Sequence, residues 1–304
     1  MHQGYQKNLS GFINVLKPPG MSSAAVVSYV RRTLDMKRVG HAGTLDPGAA
    51  GVLPIAVGWA TRLVEYLHQC TKSYRAELTF GMVTDTYDAQ GEVIERYPDC
   101  KVNMEDLEQV LASFQGEIYQ TPPAYSALRV GGRRLYELAR EGVKVTPKPR
   151  RVHISKLRVV KELLPDQERI SSCFIDVECS SGTYIRSLCY DIGKLLGCGA
   201  YMSFLVRTRV GPFSLVESVC LEEIGNGQAA EATLNNPQVA ISHMPKIMLT
   251  QEQKDRFVHG VPLELESVYA EGEYGVFCSG TGFLLGIGVL SRHYLQPKKV
   301  FHRD

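Results

Sequence analysis

With 304 residues, 44% of them hydrophobic and 22% charged, the chain carries enough apolar material for a sizeable core and one to three domains, which excludes a disordered polypeptide. A formal charge of +2 excludes bulk attraction to polyanions, so any such affinity must come from local clusters. No run approaches the roughly 18 apolar residues of a membrane-spanning helix, and Met1 to Gly20 holds Lys7 and Lys17 without the apolar stretch of a secretory leader.

Gly11 to Leu16 reads as a short strand, after which Lys17-Pro18-Pro19-Gly20 must turn. Ser22 and Ser23 are placed to cap a helix with Val26, Val27, Val30 and Leu34 on one face. A loop around Asp46 leads to an apolar stretch over Val52 to Val57, then to a helix over Ala60 to His68 with Leu63, Tyr66 and Leu67 inward. Tyr74 to Phe80 alternates with period two, which sets Tyr74, Ala76, Leu78 and Phe80 on one face. Asn103 and Asp106 predict a capped helix start, with Leu107, Val110, Leu111 and Phe114 as its stripe and Gly116 as its end.

Cys173 to Cys179 alternates again, and Ser180 to Thr183 turns the chain into a helix with Ile185, Leu188, Ile192 and Leu195 inward, closed by Gly197. Arg186 falls near the start of that helix, where the macrodipole disfavours a cation unless a carboxylate answers it. Gly225 to Pro237 breaks the pattern and Pro245 adds a stop, which predicts a boundary near 245. Beyond it, Thr250 and Gln253 form a capping box before Phe257 and Val258, Gly260 ends the helix, and Val268 to Leu290 reads as two strands about Ser279 to Gly282. A module of roughly 60 residues is marginal alone and is expected to dock on the main domain.

The eight cysteines, at 70, 100, 173, 179, 189, 198, 220 and 278, include no C-x-x-C pair and no His at zinc spacing. Neither a metal site nor a disulfide frame is expected, and a reduced, cytoplasmic protein is. Charge is concentrated elsewhere. Between Tyr125 and Lys161 eleven Lys and Arg face two Glu, a local charge of +9, interleaved with Tyr125, Tyr136, Gly131, Gly132, Pro147 and Pro149. A solvated face explains many such runs, but aromatics and turn residues among the cations suit a finger that grips a phosphate backbone. RNA is favoured over duplex DNA, since no helix-turn-helix or zinc-finger pattern is present.

From Ala42 to Trp59 the only charged residue is Asp46. Asp-Pro is common at turns, so taken alone this acid reads as a cap. Its company changes that. The chain contains Lys17-Pro18-x-Gly20-x-Ser22-Ser23, then Gly40-His41-Ala42-Gly43-Thr44-Leu45-Asp46-Pro47, Lys72-x-Tyr74, Phe80-Gly81-x-x-Thr84-Asp85-Thr86-x-Asp88, Thr121-Pro122-Pro123-x-Tyr125, Gly182-Thr183-Tyr184-Ile185-Arg186 and Arg207-x-Arg209-x-Gly211-Pro212-Phe213. In this order, over nearly the whole chain, they resemble the TruB family of transfer RNA pseudouridine synthases.

The resemblance implies a mixed α/β (α+β) fold. A catalytic domain over 1–245 would hold a twisted, largely antiparallel sheet with a basic thumb insertion near 125–150, and a small PUA-like RNA-binding module would follow over 246–304. It implies an isomerase that flips uridine 55 out of the transfer RNA T-loop and makes it pseudouridine, with no cofactor or metal, no guide RNA or obligate protein partner, and a monomeric state. Asp46 would be the nucleophile and Arg186 its counter-ion. Tyr74 would stack on the uracil and relay a proton, His41 would meet RNA at the pocket mouth, Tyr184 and Leu205 would line the pocket, and Asp88 would lie beside it. Lys17 and Pro18 would brace the Asp46 loop, while Arg129, Arg133, Arg134, Arg140, Lys148, Arg150 and Arg151 would form the RNA-binding thumb.

Without the resemblance, Tyr74 and Leu205 read as core packing, Arg186 as a surface helix residue and His41 as an ordinary loop histidine. Attack of the carboxylate on C6, attack on C1′ and a glycal route all remain open. A transfer RNA folding role can accompany the chemistry. A guide-dependent synthase of the archaeal and eukaryotic type is disfavoured by the thumb and the short C-terminal module. Ser181, Ala42 and Gly48 depart from the usual pattern in ways that bear on RNA affinity and loop stiffness, not on the chemical groups.

Overall fold

Burial alternates along strand Lys72–Phe80, with Lys72, Tyr74, Ala76, Leu78 and Phe80 inward, and this strand lies at the centre of the main sheet. The computed structural model describes residues 9–126, 128–143, 145–161, 170–225, 228–265 and 269–301. Lys7, Lys144, Val268 and the side chain of Arg140 lie outside the described residues.

Among the described residues the main sheet runs Leu234–Asn235, Gly11–Lys17, Ala50–Val57, Ala200–Val210, Lys72–Phe80, Ser172–Cys179, Arg150–Val159, Gly116–Gln120, with Val39–His41 and Phe213–Ser214 attached beside it. Only Ala200–Val210 against Ala50–Val57 is a parallel pairing, so the sheet is largely antiparallel, as expected. That parallel contact is unusually close. A Cβ on Gly51 would sit 2.2 Å from the Arg207 carbonyl oxygen, and Gly51 has φ +110°, so only glycine fits.

Both faces of the inner strands are covered, which is why Ala50–Val57 is a continuous apolar run without alternation. On one face Leu53, Ile55, Ala76 and Leu78 pack with Val26, Val30, Leu107, Leu111, Leu188 and Ile192 from the helices Ser23–Thr33, Met104–Ser113 and Ile185–Leu195. On the other, Phe12, Val52 and Ala56 pack with Ala60, Leu63, Tyr66 and Leu67.

Ser22 caps the first helix by accepting from the Ala25 amide, and Asn103 caps the second by accepting from Asp106. Leu195 departs from expectation. It is 61% exposed, because Ile185, Leu188, Cys189 and Ile192 complete the buried stripe and the last helical residue rotates past its edge. The element over 60–68 is also not one helix, since a 3₁₀ turn over Gly58–Leu63 precedes the α-helix Val64–Gln69.

A second sheet begins at Lys246 and runs Lys246–Leu249, Gly272–Cys278, Leu284–Ser291, Tyr294–Val300, Leu263–Glu264, with the helix Gln251–Val258 against it. The Thr250 and Gln253 capping box is formed. Phe277, Leu284 and Ile287 share a cluster with Leu63, Tyr66 and Leu67, so this sheet is docked on the first body. Among the described residues, no helix is long and apolar enough to cross a membrane.

Candidate active site

The Asp46 loop joins Val39–His41 to Ala50–Val57, which pair antiparallel. Its carbonyls are taken up one after another. Arg207 donates from Nη2 to Gly43 O at 3.1 Å and from Nη1 to Thr44 O at 3.3 Å. Ser23 Oγ donates to Leu45 O at 3.0 Å and accepts from the Leu45 amide at 2.9 Å. The Ala49 amide takes Asp46 O, while the Gly20 amide and Lys17 Nζ both take Pro47 O. With the backbone oxygens of Gly43 to Pro47 all bonded, this stretch has little freedom, so the Asp46 carboxylate is aimed by its main chain.

That carboxylate is partly open, with 38% of its side chain exposed, and it meets Arg186, whose side chain is only 7% exposed, at 2.9 Å between Nε and Oδ2. Arg186 is the second residue of helix Ile185–Leu195, and Asp46 supplies the anion that its place in the helix dipole calls for. Its other nitrogens are occupied too. Nη1 lies 3.5 Å from Asp88 Oδ2 and donates to Thr86 O, and Nη2 donates to Tyr125 O at 3.0 Å. One guanidinium therefore joins the Asp46 loop, the 84–91 turn and the base of the basic insertion.

Asp88 is fixed in turn, with Oδ1 accepting from Thr86 Oγ1 at 2.7 Å and from the Gln90 amide at 3.0 Å. Beside the two acids lies a cavity of about 210 Å³, lined by Asp46, Gly48, Ala49, Asp88, Ala89, Gln90 and Met202 to Leu205. Four consecutive residues of one strand reach a single cavity because register slips between Met202 and Phe204, a bulge that leaves Ser203 over. Leu205 is 6% exposed and packs into the core as well as lining this space.

Tyr74 pairs across the sheet with Arg207 and is buried. Burial pushes its phenol above the ordinary value, and the charge of the neighbouring Arg207 pulls the other way. Tyr184 sits just before the Arg186 helix, its amide donating to Gln120 Oε1 at 2.7 Å and its carbonyl accepting from Gln120 Nε2 at 3.0 Å. His41 is held below the usual histidine range by burial, helped by the charges of Arg207 and His68, and its buried Nδ1 has no partner among the described residues. Asp46, Asp88 and Leu205 thus line one cavity, and Arg186 pairs with both acids from outside its lining. Tyr74, Tyr184 and His41 are not in its lining.

Lys17 has no solvent exposure, and Nζ donates to Pro18 O, Met21 O and Pro47 O. The basic insertion leaves the main sheet after Gly116–Gln120 and returns at Arg150–Val159, two strands that pair with each other. Arg129 and Arg134 face each other in a small hairpin whose turn residues Gly131 and Gly132 both have positive φ, the geometry of a two-residue turn. Arg129, Arg133, Arg134 and Lys148 are exposed. Arg133 pairs with Glu141 and Arg134 donates to Tyr136 Oη. Arg150 and Arg151 lie in the main sheet, opposite Gln120 and Tyr119, and Arg151 pairs with Glu117.

Two family models cover most of the chain. One, described as TruB family pseudouridylate synthase (N terminal domain), matches residues 31–185, and the other, tRNA pseudouridylate synthase B C-terminal domain, matches 186–243. The chain belongs to the TruB family. Relatives named tRNA pseudouridine synthase B include those of Symbiobacterium thermophilum, 48% identical over 83% of each chain, and Heliobacterium modesticaldum, 44% identical over 97% of this chain and 96% of the relative. Among solved structures, a Cbf5-Nop10-Gar1 complex has a chain 25% identical to this TruB protein with a TM-score of 0.74, over 96% of this chain and 85% of the other.

Three buried polar residues around this candidate site were not singled out from the sequence. Arg207 and Lys72 stand in quoted motifs, and the available signal was a cation at an inward position of an apolar strand. Lys72 is 8% exposed and donates to His68 O and Cys70 O. Gln120 carried no signal, because its bonds to Tyr184 span 64 residues of chain.

Proposed function

We propose that this TruB-family chain converts uridine 55 in the T-loop of transfer RNA to pseudouridine, with Asp46 as nucleophile, Arg186 as its counter-ion and Tyr74 stacked on the flipped uracil. The observation that carries the reading is the 2.9 Å contact between Asp46 and the buried Arg186 at the edge of a cavity. The relatives' name, tRNA pseudouridine synthase B, supports the reaction and the substrate class.

The isomerisation cuts the N1–C1′ bond, turns the uracil and rejoins it through C5. The C5 hydrogen is lost as a proton and N1 regains one, so nothing is oxidised or reduced. Whether the carboxylate attacks C6 or C1′, or stabilises charge on a glycal route, it must be ionised, and an adjacent guanidinium favours that form. The flipped base costs a few kcal/mol of lost stacking, which contacts at the site must offset. His41, Tyr184 and Leu205 would contribute to them, with Asp88 holding Arg186. Lys17 and Pro18 brace the loop in this reading, and Arg129, Arg133, Arg134, Arg140, Lys148, Arg150 and Arg151 grip the RNA backbone.

The same reading has residues 246–304 as a PUA-like RNA-binding module behind a catalytic domain over 1–245. The enzyme acts in the cytoplasm as a monomer, with no cofactor, guide RNA or protein partner. The test is purified protein with an unmodified transfer RNA transcript and no other macromolecule. Pseudouridine at the target is expected, with none in a control whose target uridine is replaced. Asp46→Asn is expected to abolish turnover, and substantial turnover by that variant would overturn the assignment of the nucleophile. The thumb's charge also favours an accessory RNA-folding role, for which Asp46→Asn should still accelerate refolding of the transcript.

A further inference from the structure

Arg207 is the largest fully buried side chain among the described residues, and it stands outside the ion pair at the cavity. It lies in a strand that pairs at that residue with Tyr74 on one side and with Gly51 on the other. Its guanidinium donates to Val52 O at 2.8 Å, to Thr44 O at 3.3 Å and to Gly43 O at 3.1 Å, and its charge acts on the phenol of Tyr74, its cross-strand neighbour. Among the described residues no carboxylate forms an ion pair with it. Burying a guanidinium without a carboxylate is unfavourable compared with an apolar side chain of similar volume. Packing alone therefore does not account for an arginine here. What distinguishes it is that one rigid, planar fork bonds the residues leading into Asp46 while its charge lies beside Tyr74 across the sheet, which a single ammonium cannot do.

We propose that Arg207 is a positioning residue for the isomerisation, setting Gly43 and Thr44 so that Asp46 keeps its aim and fixing the direction of the Tyr74 hydroxyl. It acts through those two groups and does not itself touch the RNA. The inference rests on the function proposed above and deepens it, because the nucleophile and the phenol must keep one spacing while the base is detached and turned.

The test compares wild type, Arg207→Lys, Tyr74→Phe and the double variant by single-turnover rate at saturating T-arm RNA, by RNA dissociation constant and by thermal midpoint. An inactive wild type would count against the function itself, whatever Arg207 does. Arg207→Lys is expected to slow turnover by roughly 10- to 100-fold while the dissociation constant stays within about twofold, since misplacement by an ångström has effects of that size. Adding Arg207→Lys to Tyr74→Phe should cost clearly less than adding it to wild type, because both changes act on one hydroxyl. A rate that falls only with the folded fraction, or costs that multiply without coupling, overturns the proposal. If Arg207→Lys does not fold, Arg207→Gln takes its place in the same comparison: a slowed rate of the folded fraction at unchanged RNA affinity supports the proposal, and a wild-type rate overturns it.

Discussion

A lysine without solvent contact, such as Lys17, is tolerated only when its ammonium is surrounded by oxygens, and here three carbonyls provide them. Burial still lowers its pKa to about 8, aided by the charge of Arg207 and opposed by Asp46. Below that pH folded and unfolded chains both hold the proton, and the full desolvation cost is present. Above it the folded chain releases a proton that the unfolded chain retains until about pH 10.4, so stability gains with rising pH across that window. Lys17→Met removes this gain. Comparing urea midpoints near pH 7 and pH 9.5, wild type should advance relative to the variant at the higher value. A gap that stays constant would show that Lys17 does not titrate there. Turnover should fall as well, since Pro47 O loses one of its donors.

At the scale of elements, helix Ser23–Thr33 has two jobs carried by adjacent serines. Ser22 caps it, while Ser23 Oγ turns inward and bonds both the amide and the carbonyl of Leu45, one residue before Asp46. Ser22→Ala should cost about 1 kcal/mol of stability and leave turnover unchanged. Ser23→Ala strands two buried backbone groups at about 1–3 kcal/mol each and lets Leu45 move, so turnover should drop even where the variant is fully folded. Thermal melts and single-turnover rates on both variants separate the two effects, and equal turnover would dissociate this helix from the site.

For the whole molecule, the two sheets share one apolar cluster, reinforced by stacking of Trp59 on Phe301 and by the Lys299–Glu65 pair at 2.7 Å. The ion pair, with its Glu65 partner open to solvent, contributes little, so the buried side chains hold most of the contact. Ile287 is fully buried in that cluster, and Ile287→Ala should destabilise by about 2–5 kcal/mol. Because Leu63, Tyr66 and Leu67 lie across the contact, the loss should appear in unfolding of the first body as well as the second sheet. A denaturation curve in which only the C-terminal part melts earlier would show that the two are independent.

Much of this was legible in the residues alone, where the signal is local. Period-two burial in Lys72–Phe80 and Ser172–Cys179, the caps at Ser22, Asn103 and Thr250, and the helix dipole that makes Arg186 seek a carboxylate all act within a few residues of chain. Strand Tyr294–Val300 was not legible, since its Pro and paired Lys mask any alternation and its pairing with Leu284–Ser291 supplies the order. The same holds for Gln120 clamping Tyr184 and for Arg207 spanning Gly43 and Tyr74. By itself the chain determined where these strands and helices lie and where a lone acid and a helix-start arginine stand, because propensity, capping and charge are short-range. Only the tertiary structure decided which buried donors hold the Asp46 loop, because each of those bonds closes a long stretch of chain and exists only once the sheet has formed.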